Sequence, residues 1–241
     1  MYNSHMQNEK KVIVVVGASR GIGRATALAL AEPGARLVLA ARDAAALEAL
    51  AAELRARGAK ATAAPCDVTA EPHVRRLIDE AAAGTGRIDL LVNSAGGALV
   101  APLAEIALAD WERALRVSLT SVFLTCKHAA ARMQAGGLIV NVASVAARQA
   151  FPGWSAYVAA KHGLLGFSAA IREELRPQGI RVSVVLPAAT DTALWDELPG
   201  EWNRATMLRA EDVGRAIAQL AAQPPYATVE ELTIGHVAGR L

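Results

Sequence analysis

Along this chain, short runs of β-branched and apolar residues alternate with longer stretches in which alanine and leucine recur at helical spacing. The runs at 12–16, 36–41, 60–65, 88–92, 138–143, 180–186 and 230–234 read as strands. Most are largely apolar rather than alternating, as expected when helices cover both faces of a sheet. Helices are predicted over 22–32, 43–57, 71–83, 108–133, 155–176 and 211–222, with Pro33-Gly34, Gly58 and Pro177 as stops and Asp43 as a cap. Strands separated by helices imply parallel crossovers. The prediction is therefore an α/β fold, a doubly wound parallel sheet of about seven strands with helices on both faces. One stretch, 188–209, has no clear periodicity and holds Trp195 and Trp202.

Composition narrows the class. The chain has 241 residues, 53% of them hydrophobic and 20% charged, which predicts a globular protein with a substantial core. A single domain is expected over 11–241. The polar segment 1–10 contains Ser4-His5-Met6, similar to an expression-vector scar, and is set apart as an extension. A net charge of +2 with no basic cluster beyond Arg75-Arg76 argues against a nucleic-acid partner. No apolar stretch reaches the ~18 residues of a membrane span. Cys66 and Cys126 read as buried free thiols, which suits a cytoplasmic location. His5, His73, His128, His162 and His236 never fall at metal-ligand spacing, so no metal is expected.

Two features point to chemistry. The first strand runs into Gly17-Ala18-Ser19-Arg20-Gly21-Ile22-Gly23, and a helix follows at once. Glycines let backbone amides approach phosphate oxygens, and the helix N-terminus adds partial positive charge, so this turn would hold a pyrophosphate. The blander reading is a tight turn whose small residues pack helix on strand. At the end of the second strand an acid would hold a ribose 2′-hydroxyl and repel a 2′-phosphate. Here the residues are Ala40-Ala41-Arg42, and Arg20 adds a second cation, so NADP(H) is favoured over NAD(H). The alternative leaves Arg42 in solvent and gives the ribose to Asp43.

The second feature is Ser144, Tyr157 and Lys161. Tyr157 and Lys161 are four residues apart and share a helix face, while Ser144 ends the strand at 138–143. A hydroxyl facing a phenol backed by an ammonium can protonate a carbonyl oxygen. The ammonium is expected to lower the phenol from its usual value near ~10.

With these motifs in order, the sequence resembles the short-chain dehydrogenase/reductase family, a Rossmann-type fold, over 11–241. Asp67-Val68 resembles the family's adenine-contacting pair, and Asn93-Ser94-Ala95-Gly96 its Asn-x-Ala-Gly motif. The resemblance implies a small carbonyl or alcohol substrate and hydride transfer by the cofactor. It makes Tyr157 the general acid in reduction and the base in oxidation. Lys161 would hold the nicotinamide ribose, and Ser144 the substrate carbonyl. Cofactor contacts are implied at Gly17, Ser19, Arg20, Gly21, Ile22, Gly23, Asp67, Val68, Asn93, Ala95, Gly96, Pro187 and Thr192. Three positions depart from the family pattern: Val16 replaces a usual Thr, Ala188 a usual Gly, and Ser118 the helical Asn of the proton relay. That Asn acts in the family chiefly through its main-chain carbonyl, so Ser118 would keep the relay with weaker control of local helix geometry. A 3-oxoacyl-thioester reductase and a non-catalytic NADP(H) sensor are the alternatives. A homotetramer or homodimer built through 108–133 and 155–176 is implied as well. Trp154 is balanced between substrate wall and subunit contact, Trp195 leans to the pocket, and His162 to packing or solvent.

Overall fold

The computed structural model describes residues 11–238. The extension at 1–10 lies outside the described residues. Seven strands form one sheet: β1 (Val12–Val16), β2 (Arg36–Ala41), β3 (Lys60–Pro65), β4 (Leu90–Asn93), β5 (Leu138–Val142), β6 (Arg181–Pro187) and β9 (Glu231–Ile234). Between β6 and β9, Thr190–Asp191 (β7) and Leu208–Arg209 (β8) pair separately. The order in the large sheet is β3-β2-β1-β4-β5-β6-β9, every pair parallel. The chain thus reverses its direction of travel across the sheet between β1 and β4. At such a switch point the loops diverge and leave a crevice beyond the strands' carboxyl ends.

The central strands are largely apolar because both faces are covered, while the edge strands β3 and β9 alternate in exposure. Val12, Val14 and Val16 pack with Val74 and Leu77 of α3 (Glu71–Ala82), Val122 of α5 (Ser121–Ala130) and Leu164 of α6 (Ser155–Leu175). Ile13 and Val15 face Ala27 of α1 (Gly21–Ala29), Leu47 and Leu50 of α2 (Ala44–Ala56), and Val213 and Ile217 of α7 (Ala210–Ala221). A buried polar chain crosses the first face. Thr125 donates to Asn93 Oδ1 (2.8 Å), Asn93 to Asn141 Oδ1 (2.9 Å), and Asn141 to Ser168 Oγ (2.9 Å). Each member is satisfied, so α5 and α6 are pinned to β4 and β5 in one register.

Several boundaries differ from expectation; α1 ends at Ala29, three residues short of the expected 32. The predicted helix 108–133 is interrupted: α4 (Leu108–Leu115) leads into a π-helical turn, Arg116–Thr120, before α5 begins. Here hydroxyls compete with the helix ladder. Ser121 Oγ donates to the Val117 carbonyl (2.6 Å), and Thr125 Oγ1, whose hydrogen goes to Asn93, also lies against the Ser121 carbonyl (3.1 Å). The strand expected at 88–92 is displaced to Leu90–Asn93, because the Ile88 amide bonds the Arg132 carbonyl instead. The aperiodic stretch carries the two-stranded β7–β8 ribbon and a 3₁₀ segment, Ala193–Glu197.

Candidate active site

The glycine turn sits at the carboxyl end of β1, in the crevice. Gly17 has φ +81°, and a Cβ there would lie 2.6 Å from the Ala95 nitrogen. Its own amide donates to the Ala40 carbonyl (2.7 Å), tying the turn to β2. A Cβ on Gly23 would fall 2.1 Å from the Gly17 carbonyl oxygen, so α1 presses directly on the turn. The contact is backbone on backbone and has no soft partner. Gly23→Ala is expected to cost about 2–3 kcal/mol by overpacking. That should lower Tm by roughly 5–10 °C in a chain of this size. Thermal unfolding checks it; an unchanged Tm would show that the turn opens freely.

Below the turn lies a cleft of about 690 Å³. Gly17, Ser19, Arg20, Gly21, Ile22, Arg42, Asp67, Val68, Ala95, Gly96, Tyr157, Lys161 and Thr192 line it, all of them named from the sequence. Gly23 and Asn93 stand behind the wall, the first packed on Gly17 and the second inside the polar chain. The volume, the glycine cradle and the opening of α1 onto it fit an extended dinucleotide. Sequence reasoning missed Cys66, Arg113, Arg116, Leu194 and Glu197 on this wall. Arg113 and Arg116 had a signal, since a spacing of three puts them on one helix face. Glu197 had none, lying in the aperiodic stretch.

The cations are used differently. Asp43 Oδ1 accepts from the Ala46 amide (3.0 Å) and caps α2, as expected. Arg42 is exposed at the cleft and helps hold the Asp67 carboxyl below its usual value, after two larger contributions from hydrogen bonds to Thr69. Arg20 instead reaches across to Glu197 (2.6 Å), fastening the segment after β7 over the turn.

Ser144, Tyr157 and Lys161 converge. Ser144 follows β5; its Oγ accepts from the Ala146 amide (3.1 Å), and its hydroxyl favours the ionised form of Tyr157. Lys161 is only 5% exposed and donates to the Val142 carbonyl (3.0 Å). Burial pushes its ammonium down to about 8. The Tyr157 phenol corrects the expectation of a lowered value. Burial raises it, the Ser144 hydrogen bond opposing only in part, and the Lys161 ammonium faces the ring 5.6 Å from its centroid. Ser118 is buried within the π-helical turn, its Oγ donating to the Gly97 carbonyl at 3.4 Å. A Cβ on Gly96 would touch both the Lys161 Nζ (3.8 Å) and the Ser118 Oγ (3.9 Å), so the two groups border one glycine.

A second recess, about 110 Å³, opens beside Ser144 and Tyr157. Phe151, Trp154, Pro187, Leu194 and Trp195 wall it, which puts both ambiguous tryptophans at the site. His162 is exposed, its ring bonded to the Val158 carbonyl.

The family model for short chain dehydrogenases matches residues 11–202. The chain belongs to the short chain dehydrogenase family. It is 42% identical over 198 residues to a D-threitol dehydrogenase of Mycolicibacterium smegmatis, covering 79% of this chain and 76% of that protein. It is 37% identical to a 3-oxoacyl-[acyl-carrier-protein] reductase of Synechocystis, covering 91% and 92%. Among solved structures, an alcohol dehydrogenase of the archaeon Thermococcus sibiricus, complexed with 5-hydroxy-NADP, superposes with a TM-score of 0.88. It is 29% identical and the match covers 97% of this chain and 99% of that one. In this short chain dehydrogenase, Ala188 replaces the usual glycine without loss of the sheet contact, since its amide still bonds the Ile234 carbonyl (2.8 Å).

Proposed function

We propose that this chain is an NADP(H)-dependent oxidoreductase interconverting a ketone or aldehyde with its alcohol, with Tyr157 as general acid and base. One observation carries the reading: Tyr157 lines both the dinucleotide cleft and the apolar recess, and Ser144 lines the recess beside it. A carbonyl entering the recess meets two hydroxyls at its oxygen and the cleft at its carbon. When bound, the dinucleotide supplies hydride to that carbon in reduction or takes it up in oxidation. Ser144 orients the carbonyl oxygen and stabilises the charge developing on it. Tyr157 gives its hydroxyl proton to that oxygen in reduction and takes one in oxidation. Lys161, charged below about pH 8, stabilises the phenolate left behind, and Ser118 borders the same pocket of charge.

Cofactor choice rests on Arg42. With Asp43 committed to its helix, the cation is left to face the cleft, and the Thermococcus relative binds an NADP derivative. Replacing a charge-assisted contact by a repulsion makes Arg42→Asp lower the NADPH/NADH ratio of kcat/KM by roughly 30- to 100-fold. An unchanged ratio would place the 2′-phosphate elsewhere. Arg20 adds to the site only when released from Glu197.

Steady NADPH oxidation on a panel of ketones tests the activity. Saturable binding without turnover, retained in Tyr157→Phe, would favour a sensor. The Synechocystis relative supports an acyl-thioester substrate as the second reading. Self-assembly through α4–α5 and α6 is part of this proposal, supported by Phe123, 44% exposed and edge-on to Phe167 (6.2 Å) across those helices. A cytoplasmic location suits Cys66 and Cys126, both buried and free. No helix among the described residues is long and apolar enough to cross a membrane.

A further inference from the structure

We propose that the recess beside Ser144 and Tyr157 selects a compact, uncharged ketone or secondary alcohol, about one hydrocarbon ring in size. It turns away oxo acids, polyols and carrier-bound thioesters. This rests on the reading of Tyr157 as the proton donor and names the substrate class of that same site.

Size is the first argument. The recess holds about 110 Å³, less than the apolar cavity of about 150 Å³ that accommodates benzene. One ring is therefore the most it takes, with the carbonyl oxygen at the two hydroxyls.

Polarity is the second. No charged side chain lines the recess among the described residues. Two of its polar groups are already committed to the protein: Thr190 Oγ1 donates to the Ala188 carbonyl (2.9 Å) and Trp195 Nε1 to the Thr190 carbonyl (2.9 Å). Of the other polar side chains on its wall, Ser144, Tyr157, Thr192 and Trp154, the first two serve the reacting oxygen. A distal carboxylate would be buried without a counter-ion, and a polyol would bring more hydroxyls than Thr192 and Trp154 can partner. Arg20, Arg204 and Arg148 are each paired elsewhere, with Glu197, with Asp191 and Asp196, and with Glu231.

Rigidity is the third. Trp154 packs on Tyr157 (5.4 Å between centroids), on Phe151 (6.5 Å) and on Trp195 (6.0 Å), and Trp202 closes over Trp195 (4.7 Å). An occupant broader than one ring meets this packed aromatic wall, whereas a flexible aliphatic wall would yield.

The test compares cyclohexanone, 4-oxocyclohexanecarboxylate and an acetoacetyl thioester with the NADPH-loaded protein. Cyclohexanone is expected to show a kcat/KM at least 100-fold above the other two. Parity, or a preference for the oxo acid or the thioester, overturns the proposal. Binding is read separately, by calorimetric titration of NADPH-loaded Tyr157→Phe with cyclohexanone and the oxo acid. Cyclohexanone should bind at least 30-fold more tightly, and equal affinities overturn the proposal. If the binding order holds while the native protein turns over none of the three, the catalytic reading fails and the recess assignment stands. Trp195→Phe, which keeps an aromatic wall, should gain at least 10-fold in kcat/KM for a bicyclic aryl ketone relative to cyclohexanone, with NADPH affinity unchanged. Loss of the gain there counts against the wall.

Discussion

Tyr157→Phe is expected to cut kcat by about 10²–10⁴-fold, the range general acid–base catalysis supplies. Its NADPH affinity should stay within about threefold of the native protein. Only the hydroxyl is removed. The ring that packs against Trp154 remains, and the glycine turn that holds the far end of the cleft lies on another element. The loss should appear in single turnovers as well as in steady state, because it concerns proton transfer rather than release. Retention of more than a tenth of the native rate would mean that another group protonates the carbonyl. Buried as it is, the phenol is held above its ordinary value. Burial thus favours the protonated form that reduction needs as its acid.

Lys161→Met should separate function from stability. Turnover is expected to fall below a hundredth, since the phenolate formed in the transition state loses its cation. The unloaded protein should nevertheless become more stable at pH 7. The ammonium ionises near 8 in the fold against a reference of 10.5, and a shift of that size corresponds to about 3 kcal/mol of penalty for the buried charge. Losing its hydrogen bond to the Val142 carbonyl returns about 1 kcal/mol. The net gain of about 2 kcal/mol should raise Tm by roughly 4–8 °C. The pH dependence fixes the cause. Below about pH 8 both states of the native sequence carry the proton and the penalty is complete. Between about 8 and 10.5 the unfolded chain binds more protons than the folded one, so native stability rises with pH. The advantage of the methionine should therefore shrink over that window. Above 10 the raised Tyr157 works the other way, because the unfolded phenol ionises first. A variant no more stable than the native protein at pH 7 would show that the ammonium is well solvated.

What could be read from the sequence followed periodicity. The strands Val12–Val16 and Arg36–Ala41 were legible to the residue, because a strand covered on both faces is a continuous apolar run, and Lys60–Pro65 because Gly58 and Pro65 bracket it. The π-helical turn at Arg116–Thr120 was not. Its residues keep helical spacing, and the competing hydroxyl contacts of Ser121 and Thr125 leave no periodic trace. Ser144, Tyr157 and Lys161 were legible as a group because strand end and helix face are local properties. The direction in which Tyr157 shifts was not, since a spacing of four says that two side chains are neighbours and nothing of how dry their surroundings are. Least legible was Glu197. It meets Arg20 across 177 residues of chain, from a segment whose short pairings only the finished fold supports.

The tryptophan group has a consequence of another kind. Three of the four tryptophans, Trp154, Trp195 and Trp202, sit with ring centroids 4.7–6.1 Å apart, the first two lining the recess, while Trp111 lies on α4. At such separations excitation passes among the indoles faster than any of them emits. They behave as one chromophore, and a quencher reaching one darkens all three. The fold therefore carries an optical reporter at the mouth of its own recess, and it needs no label.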